Sequence, residues 1–204
     1  MARRLPPKGF ESSKIELVSI KTGTNWSRLY SSSYPNPLGF GLSPSRFSDP
    51  RVDLPEKDRF GIIYFGSSLK VCFLERVLRD LRNGRLGDVP IPYAELEQLM
   101  CAEVTTARPL NLVDLRGDSP LKMGVPTDAI RASSHRLGQK WSLAFWLHKQ
   151  RPHGVVYPSR LNEEIKLALY DVALPNVSVS RSRPFLEYRA EVAALIRDFK
   201  LAIV

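Results

Sequence analysis

Gly61-Ile62-Ile63-Tyr64-Phe65-Gly66, followed at once by Ser67-Ser68-Leu69-Lys70-Val71-Cys72-Phe73-Leu74-Glu75, is the stretch on which the fold turns. The apolar run bounded by glycines reads as a short strand. Ser68 is suited to cap the helix that follows, because its hydroxyl can accept an N–H that the first turn leaves unpaired. Leu74, Val77, Leu78 and Leu81 recur at i, i+3, i+4 and i+7, which gives that helix one buried face, and Asn83-Gly84 is a stop signal. A strand that feeds directly into a helix thus carries Tyr64 and Glu75 on consecutive elements.

Working outward, residues 15–20 and 26–30 read as strands separated by a turn at Lys21-Thr22-Gly23-Thr24. Residues 31–58 are rich in Ser, Pro and Gly, follow neither a helical nor a strand period, and contain Ser45-Arg46-Phe47-Ser48. A loop this long within one domain is uncommon, and such loops often carry function. Further strands are expected at residues 100–105, 110–115, 154–158 and 165–172. A helix over residues 133–149 places Leu137, Trp141, Ala144, Phe145 and His148 on one stripe, and a last amphipathic helix covers residues 188–199. Many strands with a few interspersed helices, not in regular alternation, predict an α+β fold. The 204 residues suit a single domain over 1–204.

The composition bounds the function. Hydrophobic content of 43% with 25% charged residues allows a packed core and argues against wholesale disorder. The N-terminal Met1-Ala2-Arg3-Arg4-Leu5-Pro6-Pro7 is basic with no apolar run behind it, unlike a signal peptide, and no apolar run is long enough to span a bilayer. The expected location is the cytoplasm, with Cys72 and Cys101 as reduced, buried thiols. The net charge of +9 calls for an anionic partner. The basic residues (Arg3, Arg4 and Lys8 at the start; Arg181, Arg183, Arg189, Arg197 and Lys200 near the end) are scattered without interleaved aromatics, so direct nucleic-acid binding is not expected.

Common catalytic sets do not fit. His135, His148 and His153 have no metal-site spacing; His148 lies on the apolar helix stripe and His153 at a turn. No Gly-rich phosphate loop or Gly-x-Ser-x-Gly elbow occurs, and Glu163-Glu164 reads as a solvated acidic pair. Four positions remain: Arg46 in the long loop, Tyr64 in its strand, Glu75 in the following helix, and Ser159 at the end of the glycine-led strand Gly154-Val155-Val156-Tyr157-Pro158. Each has an ordinary structural explanation, such as Glu75 pairing with Arg79 at i+4 on a solvated helix face.

Taken in order, Trp26-Ser27-Arg28-Leu29-Tyr30, Ser45-Arg46-Phe47-Ser48, Ile63-Tyr64-Phe65-Gly66, Leu74-Glu75-Arg76 and Gly154 through Arg160 resemble the RES-domain family, named for its Arg, Glu and Ser, over about residues 26–171. Members are toxins paired with Xre-type helix-turn-helix antitoxins. The resemblance implies an ADP-ribosyltransferase-like fold of mainly antiparallel strands and an activity that degrades NAD as substrate, with no cofactor and no metal. It matches Arg46, Glu75 and Ser159 to the catalytic Arg, Glu and Ser, and Arg28 and Tyr64 to further binding positions. Where the family has Gly before its Arg and Asn two residues after it, this chain has Ser45 and Ser48, and residues 51–59 form a charged insertion.

The chemistry implied is coherent. Arginines at 28 and 46 can grip the pyrophosphate of NAD. The planar nicotinamide cation can rest on the face of Tyr64. Cleavage of the nicotinamide–ribose bond develops an oxocarbenium-like charge that the Glu75 carboxylate can stabilise, and Ser159 can hydrogen-bond the ribose or nicotinamide. The acceptor stays open among water, inorganic phosphate and a protein side chain. The alternatives are therefore an NAD glycohydrolase or phosphorylase, a protein ADP-ribosyltransferase, and a basic interaction module without catalysis.

Overall fold

The computed structural model describes residues 5–79, 81, 84 and 86–204. Arg3 and Arg4 of the basic N-terminus and Asn83 of the helix stop lie outside these residues. In chain order the strands are β1 (Leu17–Ile20), β2 (Asn25–Ser31), β3 (Ile62–Gly66), β4 (Val89–Ile91), β5 (Leu99–Thr106), β6 (Leu110–Asp114), β7 (Gly154–Pro158), β8 (Ile165–Tyr170), β9 (Val177–Pro184) and β10 (Leu201–Ile203). The α-helices are α1 (Leu69–Phe73), α2 (Tyr93–Glu97), α3 (Ser119–Lys122), α4 (Thr127–Arg131), α5 (Arg136–Trp146) and α6 (Arg189–Asp198).

Among the described residues one curled sheet runs in the order β1-β6-β7-β8-β3-β2-β5-β9. Its pairs are antiparallel except β6 with β7. β4 and β10 form a separate parallel pair. The α+β expectation therefore holds, with strands mostly antiparallel. No helix among the described residues is long and apolar enough to cross a membrane.

Alternation along the central strands decides what each face does, since side chains at i and i+2 share a face. Ile63 and Phe65 of β3, Val156 of β7, and Leu167 and Leu169 of β8 pack into one cluster with Trp26, Val104 and Leu112, where the curled strands face one another. Ile62, Val155, Tyr157, Ala168 and Tyr170 point the other way, into a cluster closed by Trp141 and Phe145 of α5 and by Phe47 of the long loop. Tyr64 packs at the margin of this second cluster. A third cluster joins α1 and α6 to the small β4–β10 pair through Phe73, Ile91, Phe185 and Leu195.

The helix read from Ser68 onward starts as expected and then departs. The Ser68 hydroxyl accepts the Val71 N–H at 3.1 Å and donates to the Glu164 carboxylate, so half of the presumed solvated acidic pair is an anchor for this helix start. After Phe73 the backbone widens into a π-helical turn, Leu74–Leu78. Leu74 and Leu78 stay in the core, and the extra residue per turn presents Glu75 to the sheet. Such turns are often found at functional sites.

The elements that the sequence pattern misses are short or polar. β9 reads Val-Ser-Val-Ser-Arg-Ser-Arg-Pro and lies at an edge of the sheet, where charged residues and proline are tolerated. His148 is the structural residue expected from its stripe: it is 2% exposed, with Nε2 on the Ser13 carbonyl and Nδ1 accepting the Gln150 N–H. Cys101 is buried as expected, but Cys72 is only half-buried.

Candidate active site

A cleft of about 620 Å³ opens where β2, β3, β8, the π-helical turn and the long loop meet. That volume lies within the roughly 300–1,000 Å³ usual for ligand clefts. Arg28, Arg46, Tyr64 and Glu75 all line it, as do Tyr157 and Lys166. Four of the five residues singled out in the sequence therefore share one cavity wall.

Arg46 is positioned by its neighbours. Phe47, wholly buried, sets its ring edge-on to Tyr157 with centroids 4.9 Å apart. The Phe47 N–H donates to the Tyr64 hydroxyl at 3.0 Å, and Ser142 Oγ donates to the Phe47 carbonyl at 2.7 Å. Ser45 and Ser48 close the turn on themselves: the Ser45 N–H donates to Ser48 Oγ at 2.9 Å, which donates back to the Ser45 carbonyl at 3.1 Å. Gln139 of α5 donates to both the Ser45 carbonyl and Ser48 Oγ, and Ser45 Oγ bonds the Tyr64 hydroxyl at 2.9 Å. These two serines close the turn that carries Arg46. The charged insertion is also pinned, because buried Asp49 accepts from the Arg51 side chain and from the Phe60 N–H at 3.1 Å.

The Arg46 guanidinium is held with Nη1 buried and without a hydrogen-bond partner. Burial lowers its pKa, and the nearby Tyr157 and Glu75 partly oppose that. A buried donor left unmade is costly, so this nitrogen is a ready place for an anionic oxygen.

Glu75 is not a solvated partner on a helix face. Its Oε1 accepts the Ser159 hydroxyl at 2.7 Å, and its Oε2 lies 3.0 Å from the Lys166 ammonium. Burial pushes the carboxyl up, but Lys166, the Ser159 hydroxyl and Arg160 outweigh it and hold it below its ordinary value. The group is therefore an ionised carboxylate at neutral pH, fixed at both oxygens.

Two of the candidates are bonded within the fold. Ser159 is wholly buried; its proton goes to Glu75, and its oxygen accepts the Leu161 N–H at 3.1 Å. The bond to Glu75 fixes one oxygen of the carboxylate. Arg28 does reach the cleft, but its guanidinium donates to the Pro37 carbonyl and, at 2.8 Å, to the Gly39 carbonyl. It ties down the loop at the cleft mouth, and burial lowers its pKa to about 10.

Lys166 is the residue that the sequence reading missed. Strand alternation puts it on the same face as Tyr157, its direct partner in the β7–β8 register, and as Tyr64 on β3. Its ammonium lies 5.3 Å from the Tyr157 ring centroid and 5.9 Å from that of Tyr64. The face expected to receive nicotinamide thus already has a cation beside it. The available signal was a lone charged residue in the apolar strand Ile165-Lys166-Leu167-Ala168-Leu169-Tyr170, since a buried Lys requires a partner. Gly138, Gln139 and Ser142 were likewise readable as small or polar residues beside the apolar stripe of α5.

Residues 17–190 match the family model described as the RES domain. The chain is 50% identical over 127 residues to "Probable toxin y4kH" of Sinorhizobium fredii (strain NBRC 101917 / NGR234), an alignment spanning 62% of this chain and 100% of that protein. Its fold is similar to a chain in the crystal structure of the M. tuberculosis MbcT–MbcA toxin–antitoxin complex, with a TM-score of 0.61, 17% identity, and 84% of this chain and 92% of that one covered.

Proposed function

The chain belongs to the RES-domain family, and from that premise we propose that it is the toxin of a toxin–antitoxin pair and consumes NAD by breaking the nicotinamide–ribose bond. The observation that carries this reading is an ionised carboxylate, Glu75, fixed at both oxygens and facing the same cleft as the unsatisfied Arg46 guanidinium. Arg46 supplies a charge-assisted contact for the pyrophosphate. As the C–N bond breaks, its electron pair leaves with nicotinamide, which departs neutral, and positive charge develops on the ribose. Glu75 stabilises that charge as a preorganised anion that does not have to reorient. The acceptor then adds to the ribose carbon: water gives ADP-ribose and a proton, while phosphate or a protein nucleophile gives the corresponding adduct.

The toxin role is supported by the name of the Sinorhizobium relative, and an antitoxin partner by the toxin–antitoxin complex that contains the similar fold. We take the partner to be an Xre-type helix-turn-helix protein with an acidic contacting segment, given the net charge of +9. Purified, partner-free protein should release nicotinamide from NAD in at least one of buffer, buffer with phosphate, and cell extract, and the products identify the acceptor. No nicotinamide in any of the three would sink the NAD reading. Adding saturating partner should stop the release, whereas undiminished turnover in the complex would rule out occlusion of the cleft.

A further inference from the structure

Lys166 stands on β8 between two aromatic rings, with its side chain only 11% exposed and its ammonium 3.0 Å from Glu75. Buried ion pairs contribute little to stability compared with well-packed apolar residues of similar volume. An aliphatic side chain at 166 would pack against Tyr64 and Tyr157 as well as the lysine stem does. The ammonium itself therefore calls for an account other than packing, and the atom that it faces is the oxygen of Glu75 not bonded to Ser159.

We propose that Lys166 is the positioning residue of Glu75, locking the carboxylate in its charged form against the cleft wall so that it meets charge developing on the substrate. The proposal rests on the reading of Glu75 as the charge-stabilising carboxylate. Ser159 holds one oxygen and Lys166 the other, from the end of β7 and from β8 respectively. That two-point restraint removes the rotation a carboxylate at a helix surface otherwise has.

The other charged and titratable groups around Glu75 do not duplicate this role. Arg160, just past β7, and Arg46, on the loop, interact with it through their charge. Tyr157, held protonated by burial and by the Glu75 charge itself, presents no cation. Tyr64 bonds Ser45 and Phe47 through its hydroxyl. On the π-helical turn and just after it, Arg76 and Arg79 line the same cleft. The Lys166 ammonium is in ion-pair contact with the carboxylate, and removing it leaves burial, which raises the carboxyl pKa, opposed by the Ser159 bond and the charge of the arginines.

The test compares the parent with Lys166→Met, Lys166→Arg and Lys166→Gln. NAD turnover is measured across pH, and the Glu75 carboxyl is followed by ¹³C NMR, its resonance assigned by its absence in Glu75→Gln. In Lys166→Met the carboxyl titration and the acid limb of kcat should both move up by about 1–3 pH units. The kcat at neutral pH should fall by roughly 10²-fold, as expected for a misplaced catalytic group, with KM nearly unchanged. Lys166→Arg keeps the charge and should retain the parent's acid limb; Lys166→Gln should behave as Met does and covers the case in which Met does not fold. A Glu75 titration that is the same with and without the ammonium overturns the proposal. If the parent releases no nicotinamide yet the Glu75 titration moves with Lys166, the NAD reading falls while the positioning role stands.

Discussion

Glu75→Gln should lower NAD turnover by roughly 10²-fold or more at neutral pH while NAD binding largely persists. Gln keeps the shape of the carboxylate, and its amide oxygen can still accept the Ser159 hydroxyl, but the charge that meets the developing oxocarbenium is gone. Arg46, which holds the pyrophosphate in the proposed reading, is untouched, so the loss should fall on kcat. The ion pair with Lys166 complicates stability, because Gln leaves a largely buried ammonium without its counter-charge, at a cost of about 3 kcal/mol or more. The double variant Glu75→Gln/Lys166→Met removes both charges and should recover most of that stability without recovering turnover. Restored or near-parental turnover in either variant would leave Glu75 with a structural role only.

The same pair makes a statement about acid stability. The folded-state pKa of Glu75 lies below its ordinary value, from burial outweighed by Lys166 and Ser159. The stabilisation is therefore present above the ordinary carboxylate range and is lost as pH falls through the depressed folded value. Unfolding curves of the parent and Glu75→Gln should accordingly converge as the pH is lowered below about 4, the ordinary range for Glu.

Gly138→Ala should destabilise the protein and weaken NAD binding, against what helix propensity predicts. In the interior of an exposed helix, Ala is favoured over Gly by about 1 kcal/mol. At this position in α5, however, a Cβ would stand 2.6 Å from the Arg46 carbonyl oxygen and 2.7 Å from that of Ala129. Both atoms are backbone and cannot swing aside, so either the helix or the Arg46 turn has to move. Overpacking of this kind costs about 1–3 kcal/mol, which after the propensity gain leaves a net loss of up to about 2 kcal/mol and a Tm lower by several degrees, at roughly 2–4 °C per kcal/mol. Because the displaced atom belongs to Arg46, KM for NAD should rise as well, by about tenfold if one charge-assisted contact is lost. A higher Tm with unchanged KM would show that the loop does not depend on this close approach.

These two residues mark where sequence reading stops. The strand 61–66, the Ser68 cap, the apolar stripes of α5 and α6 and most central strands were legible because they follow local rules: alternation, 3.6-residue periodicity and capping chemistry. Arg46, Tyr64 and Glu75 were legible as candidates through the order of their motifs, and the fold brings them to one cleft. Tertiary structure decided what each of them contacts. Widening to a π-helical turn, with contacts from residues 84 and 91 positions further along the chain, turned Glu75 from a helix-surface acid into a fixed carboxylate. Ser159 kept its place in the motif but spends its proton on Glu75, and Arg28 is occupied by loop carbonyls that no local pattern announces. Lys166 and Gly138 look unremarkable along the chain; each matters because of an atom that approaches from a distant segment. By itself the sequence determined the elements and the candidate chemistry, since those depend on near neighbours in the chain, whereas the roles within the cleft depend on contacts that form only when the sheet curls and the loop docks on α5.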